Sequence, residues 1–443
     1  MSGASLHALM DGRRMGVIED LGGPRLRLRY DEAWYSDRLA PPLSLSMPLV
    51  SPEHGHTVVE PFLQGLLPDN DAVLRRWGRD HHVSHRNAFA LLTHVGEDCA
   101  GAVQFVREER LEAVLSDAWD VEWIDTKEVE ARLFALSKDA SSWHARTTNG
   151  QFSLAGAQPK TAFLLDGDRW GVPSGRAPTT HILKPPIPGL DGHVENEHLC
   201  LRLAGELGLP VADSRVQRFG NQIAIVVARY DRAFVSEIPE HESGAELTSP
   251  IVRLHQEDIC QALGVSPTSK YQNEGGPSPE DVVELLRRHS SNPTEDIDTF
   301  IDALILNWLI AGTDAHAKNY SILLGGGGRV RLAPLYDLAS TLPYDDLHPR
   351  TVKSAMKIGG KYRVHEIGAR QWRKLGSAIR VGSDRVALRA EELSEQVGEA
   401  MEAVRAEAHD SGLAHPIVDR LADDVGRRAS DCLRLLRVGT EPQ

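Results

Sequence analysis

One stretch constrains this chain more than any other: Asn307 to Asp337, NWLIAGTDAHAKNYSILLGGGGRVRLAPLYD. The apolar segment FIDALILNWLIA (300–311) reads as a helix able to present the following loop rigidly. That loop sets Asp314 five residues before Asn319, and Asp337 comes after a glycine-broken pair of apolar runs that reads as a hairpin. One carboxylate to take a proton, with an amide and a second carboxylate to hold a cation, are parts that phosphoryl transfer needs. Its transition state carries dispersed negative charge, and positioned cations stabilise that charge. Asp and Asn are also turn residues, so each taken singly reads as structural. Their combined spacing makes Asp314 the candidate base and Asn319 and Asp337 the candidate metal ligands. Lys318 can neutralise the migrating phosphoryl group, and His316 can pack under the loop or touch phosphate.

Protein kinases place an Asp base, an Asn metal ligand five residues later and a later metal-binding Asp in this order. The flanking letters differ: no HRD precedes the loop and no DFG follows it. A diverged kinase is therefore the first hypothesis, and three further segments bear on it. Ser153-Leu-Ala-Gly-Ala-Gln-Pro-Lys160 carries small residues at Ala155, Gly156 and Ala157 that would let backbone N–H groups approach phosphates. It matches neither GxGxxG nor the Walker pattern, and alone it reads as a small-residue turn. Lys184, ending the apolar strand HILK, fits a phosphate-pairing lysine or an edge-strand lysine reaching solvent. Its acidic partner would be Glu195 or Glu197, and either could instead be a charge favouring a helix N-terminus. Ala228-Arg229-Tyr230-Asp231 ends another apolar strand, as a hinge contacting adenine through its backbone would, or as a simple strand end.

A length of 443 residues suggests two or three domains. No run approaches the ~18 apolar residues of a membrane span. The N-terminus MSGASLHALMDGRRMG lacks the apolar core of a signal peptide, which implies a cytoplasmic protein. Cys99, Cys200, Cys260 and Cys432 are scattered and form no CxxC pair, which argues against a disulfide framework or a cysteine zinc site. His81, His82 and His85 invite a metal reading, but surface histidines in a polar turn is the simpler one. A net charge of −14 argues against a large nucleic-acid surface of its own, while leaving room for a basic partner.

The pattern predicts an α+β chain: a bilobal kinase-like fold preceded by an additional N-terminal α/β module. Residues 1–145 would be that module plus a linker, 146–232 a β-rich N-lobe with the phosphate loop, and 233–443 a mostly helical C-lobe. In the module, RLRLRY and AGAVQFV read as strands, FLQGLLPDN and NAFALLTHVG as helices, and 121–138 as a linking helix. TAFLL-DGD-RWGVP reads as a hairpin, TTHILKPP as a strand, ENEHLCLRLAGELG as a helix stopped by Gly208, and DSRVQRFGNQIAIVVARYDR as two more strands. The final 55 or so residues read as amphipathic helices.

The order SLAGAQPKTAF, TTHILKPP, ENEHLCLRLAGELGLP, ARYDR, RLHQEDICQALGV, KYQNEGGPS, GTDAHAKNYS and PLYDLAS resembles the HipA family, serine/threonine kinases that are toxins of bacterial type II toxin–antitoxin systems. GEDCAGAVQF and FLQGLLPDN resemble that family's N-terminal module. The resemblance implies Mg²⁺-ATP as cofactor and a phosphate loop over Leu154, Ala155, Gly156, Ala157, Gln158 and Lys160. It places the ATP lysine at Lys184, the hinge at Ala228, Arg229 and Tyr230, and nucleotide-lining residues at His316 and Tyr336. It assigns the base to Asp314 and the metal ligands to Asn319 and Asp337, and puts an inhibitory autophosphorylation at Ser153. Pro159 and Ala228 depart from acidic residues that some members carry; neither change removes a catalytic group. It implies a HipB-like helix-turn-helix antitoxin, operator DNA bound mainly through that antitoxin, and an aminoacyl-tRNA synthetase or other translation factor as target, with growth arrest and persistence as outcome. A nucleotide-binding corepressor scaffold and a small-molecule kinase are the competing readings.

Overall fold

The computed structural model describes residues 4–116, 119–139, 141–142, 152–234, 251–347 and 351–437. The boundary expected near residue 145 lies outside the described residues. Contacts divide the chain into two compact units, each discontinuous in sequence. One is Met1–Pro185 with Gln217–Thr268 and Ile322–Val330; the other is Pro186–Val216 with Ser269–Ser321 and Arg331–Gln443.

The first unit opens with an antiparallel five-stranded sheet in the order Glu53–Gly55, Leu26–Tyr30, Arg13–Asp20, Ser5–Met10, Gln104–Val106. Its first hairpin turns on Asp11 and Gly12, at φ 51° and 71°, the left-handed pair that a two-residue hairpin turn requires. The helices His56–Gly65 and Ala88–Val95 bury Val59, Phe62, Leu63, Phe89, Leu91 and Leu92. These side chains share one core with Leu6, Ile18 and Leu28 of the sheet. Gly96 caps the second helix, where a Cβ would stand 2.5 Å from the Leu92 carbonyl oxygen. His81 stacks on His94 with ring centroids 4.4 Å apart.

The second sheet of this unit has six strands, ordered Ser214–Phe219, Gln222–Ala228, His181–Lys184, Thr161–Asp166, Arg169–Gly175, Trp119–Ile124. The expected hairpin and strands of the N-lobe are thus present. The single helix expected over 121–138 is not. Trp119–Ile124 pairs antiparallel with Arg169–Gly175, and the helix begins at Thr126. The reason is legible afterwards: WDVEWI alternates, and Asp125 with Glu128 forms a capping box that starts the helix. The sheet core is built from Phe163, Trp170, Leu183, Phe219 and Val226, with Val129 and Leu133 of that helix packed on it.

Glu257 lies in a short strand, His255–Asp258, that pairs with the glycine-tipped hairpin Ser321–Gly325/Arg329–Leu332. Its carboxylate accepts the Leu45 N–H at 2.8 Å and is wholly buried, and burial pushes its pKa up to about 8. The fold therefore favours the neutral acid. Stability from this group is full below the ordinary value near 4.5, falls as pH rises from there, and has gone above about 8. Glu257→Gln should flatten the fall in Tm between pH 5 and pH 9 by several degrees. An unchanged slope in thermal melts at several pH values would rule this out.

The second unit is mainly helical. Pro293–Leu309 is its central helix, with Pro279–His289, His193–Glu206, Ala369–Ala378, Ser383–Asp410 and Ile417–Arg437 around it. Trp308 of the central helix packs edge-on to Trp372, with centroids 5.6 Å apart, and donates to the Val364 carbonyl at 2.9 Å. The helix His193–Glu206 ends as expected, with Gly208 in the left-handed region at φ 83°. No helix among the described residues is long and apolar enough to cross a membrane.

Candidate active site

The candidate residues form two groups, one in each unit. In the first unit the loop after Ser153 is anchored at both ends. Ser153 donates its N–H to the Asp98 carbonyl and its Oγ to the Leu66 carbonyl, each at 2.9 Å, and is completely buried. Leu154 is buried in the N-terminal core. Asp69 N–H reaches the Gly156 carbonyl at 3.0 Å, and Asn70 Nδ2 the Ala157 carbonyl at 3.3 Å. Gly156 sits at φ 107°, and a Cβ there would stand 2.6 Å from Lys160 Nζ. Lys160 is buried and donates to the Ala155 carbonyl at 2.6 Å. A pre-formed small-residue turn whose Gly156 holds a φ that side chains rarely adopt fits a phosphate cradle. Pro159 is partly buried beside Gln158 in the same loop.

Lys184 is buried on its strand, opposite Ile225. Ala228 pairs with His181, and the Arg229 N–H donates to the Thr180 carbonyl at 2.8 Å. The Arg229 side chain does not reach solvent. It bonds Asp231 through Nε and Nη2 at 2.9 and 2.8 Å, Thr179 Oγ1 at 2.9 Å and the Cys99 carbonyl at 2.8 Å. Asp98 accepts from Arg232 at 3.0 Å, Arg253 at 3.3 Å and Thr179 Oγ1 at 2.6 Å. Burial pushes the Asp98 and Asp231 carboxyls up, but the surrounding guanidiniums outweigh it and hold both below the usual carboxylate range. Tyr230 Oη donates to Gln256.

In the second unit the loop expected to be catalytic leaves the central helix through a tight turn. Ala311 has φ 50°, and the Gly312 N–H returns to the Asn307 carbonyl at 2.7 Å. A Cβ on Gly312 would meet Asn307 Oδ1 at 2.4 Å. Asp314 then accepts the His316 N–H and the Asn319 Nδ2 on its backbone carbonyl, both at 2.8 Å. Asn319 thus spends its amide nitrogen on holding the loop, which leaves its amide oxygen for a hard cation. The Asp314 side chain is 68% exposed, whereas His316 and Lys318 are buried. Tyr336 Oη donates to the Lys318 carbonyl at 2.8 Å and meets Ser321 Oγ at 2.6 Å, tying the loop to the residue before Asp337. Asp337 itself has φ 53°, a left-handed conformation unusual for a residue with a Cβ.

Three features here were not singled out in the sequence. Asn196, between Glu195 and Glu197, bonds both backbone atoms of Ser340, at 2.8 Å to its carbonyl and 3.0 Å from its N–H. Ser340 Oγ and Thr341 Oγ1 bond the Ile310 and Ala311 carbonyls at 2.6 and 2.7 Å, so the segment after Asp337 clamps the end of the central helix. Tyr271 Oη donates to Asp314 Oδ1. Glu195 and Glu197 are both buried. No group of three His, Cys, Asp or Glu side chains among the described residues could hold a metal. A magnesium that travels with nucleotide phosphates needs fewer, because water and phosphate oxygens complete its shell. Asn319 and Asp337 fit that donor set.

Residues 152–408 match the HipA-like C-terminal domain and residues 6–106 the HipA N-terminal domain. The Sinorhizobium fredii protein Y4mE, provisionally named a kinase, is 36% identical over 96% of this chain and 97% of its own length. The serine/threonine-protein kinase toxin HipA of Shewanella oneidensis is 30% identical over 78% of this chain and 76% of its own. A solved Shewanella oneidensis structure of HipA with HipB and operator DNA superposes with a TM-score of 0.78 at 25% identity, covering 97% of this chain and 96% of that one. With both domain models matched in order and relatives aligned along nearly its whole length, the chain belongs to the HipA family of toxin kinases.

Proposed function

We propose that this chain is the toxin of a type II toxin–antitoxin system, acting as a Mg²⁺-ATP-dependent serine/threonine kinase on a translation component, an aminoacyl-tRNA synthetase above all. The observation that carries this reading is the loop at Asp314, whose exposed carboxylate stands on a backbone held by Asn319. Asp314 takes the proton of the attacking hydroxyl, Lys318 offsets charge on the migrating group, and Asn319 and Asp337 hold the metal. The loop from Leu154 to Lys160 cradles the phosphates, Lys184 pairs with them, and Ala228 to Tyr230 with His316 and Tyr336 line the nucleotide. Asn319 and Asp337 would hold magnesium, whose positive charge would offset the charge that develops on the transferring group. A HipB-like antitoxin, basic enough to suit a partner of net charge −14, would carry the operator DNA contacts and act in the cytoplasm with this chain. Induction in bacterial cells tests the toxin reading. Wild type should arrest growth and Asp337→Asn should not; arrest of equal strength by both would remove the kinase mechanism.

Ser153 would limit this activity. Its hydroxyl is buried and donates to a carbonyl, so a phosphate carrying roughly −1.5 to −2 charge cannot be housed there. The loop must leave its place, and the phosphate cradle with it. Ser153→Asp should weaken ATP binding by about tenfold or more, by analogy with charge burial that costs several kcal/mol unless paired. Mass spectrometry after incubation with ATP should find phosphate on Ser153. A single phosphosite elsewhere, with Ser153→Asp binding ATP like wild type, would leave the switch without support.

A further inference from the structure

The two oxygens of the Asp314 carboxylate are not equivalent. Tyr271 Oη donates to Oδ1, and His316 Nε2 lies 3.9 Å from the same oxygen. Oδ2 has no protein partner among the described residues, and the side chain is otherwise open to solvent. The tyrosine is itself held firmly. Its ring packs edge-on to His316 with centroids 4.9 Å apart and planes at 85°. Its carbonyl accepts the Glu274 and Gly276 N–H groups at 2.9 and 3.0 Å. A Cβ on Gly276 would stand 2.1 Å from the Ser269 carbonyl oxygen, so this turn closes only with glycine. On either side, the Lys270 carbonyl accepts the Ala317 N–H at 3.3 Å and Gln272 Oε1 the Lys357 N–H at 2.6 Å. The segment Lys270–Gln272 is thus fastened to the loop it supports.

We infer that Tyr271 is the positioning residue of the base: its hydroxyl fixes Oδ1, so that Oδ2 is the oxygen that takes the proton of the acceptor hydroxyl. This rests on the kinase reading above. In the transfer, the acceptor O–H proton moves to Oδ2 and the acceptor oxygen bonds the γ-phosphorus. The bond from phosphorus to the β–γ bridging oxygen breaks, with its electron pair leaving on ADP. A carboxylate free to rotate would offer that proton acceptor in the right place only part of the time, and small misplacements of a catalytic group cost up to about 10²-fold in rate.

Tyr271→Phe keeps the ring and its packing on His316 and removes only the hydroxyl. Label transfer from γ-labelled ATP to lysate protein should fall about 10- to 100-fold in kcat, with the KM for ATP within about twofold of wild type and Tm nearly unchanged. The companion measurement is the double variant Asp314→Asn/Tyr271→Phe. With the base already gone, loss of the hydroxyl should cost nothing further, whereas a merely structural tyrosine would cost the same in both backgrounds. An unchanged or raised kcat in Tyr271→Phe, or equal costs in the two backgrounds, overturns this role and leaves the kinase reading standing. No transfer by the wild type overturns both.

Discussion

Asp314→Asn should bind ATP as the wild type does and lose phosphoryl transfer by about 10²- to 10⁴-fold, the usual worth of a positioned general base. The amide is close in size to the carboxylate and can still meet Tyr271. Its backbone carbonyl is unaffected, so the bonds from His316 N–H and Asn319 Nδ2 persist and the loop keeps its shape. What is lost, on the proposed mechanism, is the oxygen that would accept the proton. Calorimetric titration with Mg²⁺-ATP and single-turnover label transfer separate the two effects. Full transfer by Asp314→Asn would mean that another residue is the base.

A second large effect is structural. Asp98→Ala should destabilise the first unit by about 3–5 kcal/mol, the cost typical of removing one partner from a buried ion pair. Five charged side chains meet there: Asp98 and Asp231 against Arg229, Arg232 and Arg253, each with at least one partner within 3.5 Å. His255 adds no charge near neutrality, because burial lowers it to about 4. Two negative charges face three positive ones; after the substitution one faces three, all out of water. Thr179 also loses its acceptor for both N–H and Oγ. Denaturant unfolding monitored by fluorescence should show the loss, and Asp98→Asn, which retains an acceptor for Thr179, should recover part of it. A loss below about 1 kcal/mol would mean that the pairs are solvated in solution and behave like surface bridges.

Much of the fold was legible because its signals are local. Alternation marks RLRLRY, a proline-closed apolar run marks HILKPP, and Gly208 marks a helix end, and the structure has a strand, a strand and a helix end at those places. The edge strand Trp119–Ile124 was missed because a six-residue alternating run next to a strong helix is easily absorbed into it. Of the candidate site, sequence spacing speaks to one part only. Asp314, Asn319 and Asp337 are spaced by a loop and a hairpin, so sequence separation carries their relation. Tyr271 and Asn196 reach their partners from 43 and 144 residues away, a tertiary relation that no periodicity encodes. The Arg229 side chain was likewise invisible as a buried ion: ARYDR reads as a polar strand end, and only the fold brings Asp98 beside it from 131 residues away.

The most direct measurement is the fate of the γ-phosphate. Purified chain, Mg²⁺ and γ-labelled ATP are incubated with a bacterial lysate, and the label is traced through protein and metabolite fractions. The kinase mechanism predicts label on a discrete lysate protein, on serine or threonine, and none when Asp314→Asn replaces the wild type. Label only in a small molecule, or no transfer at all by a chain that binds ATP, would contradict it.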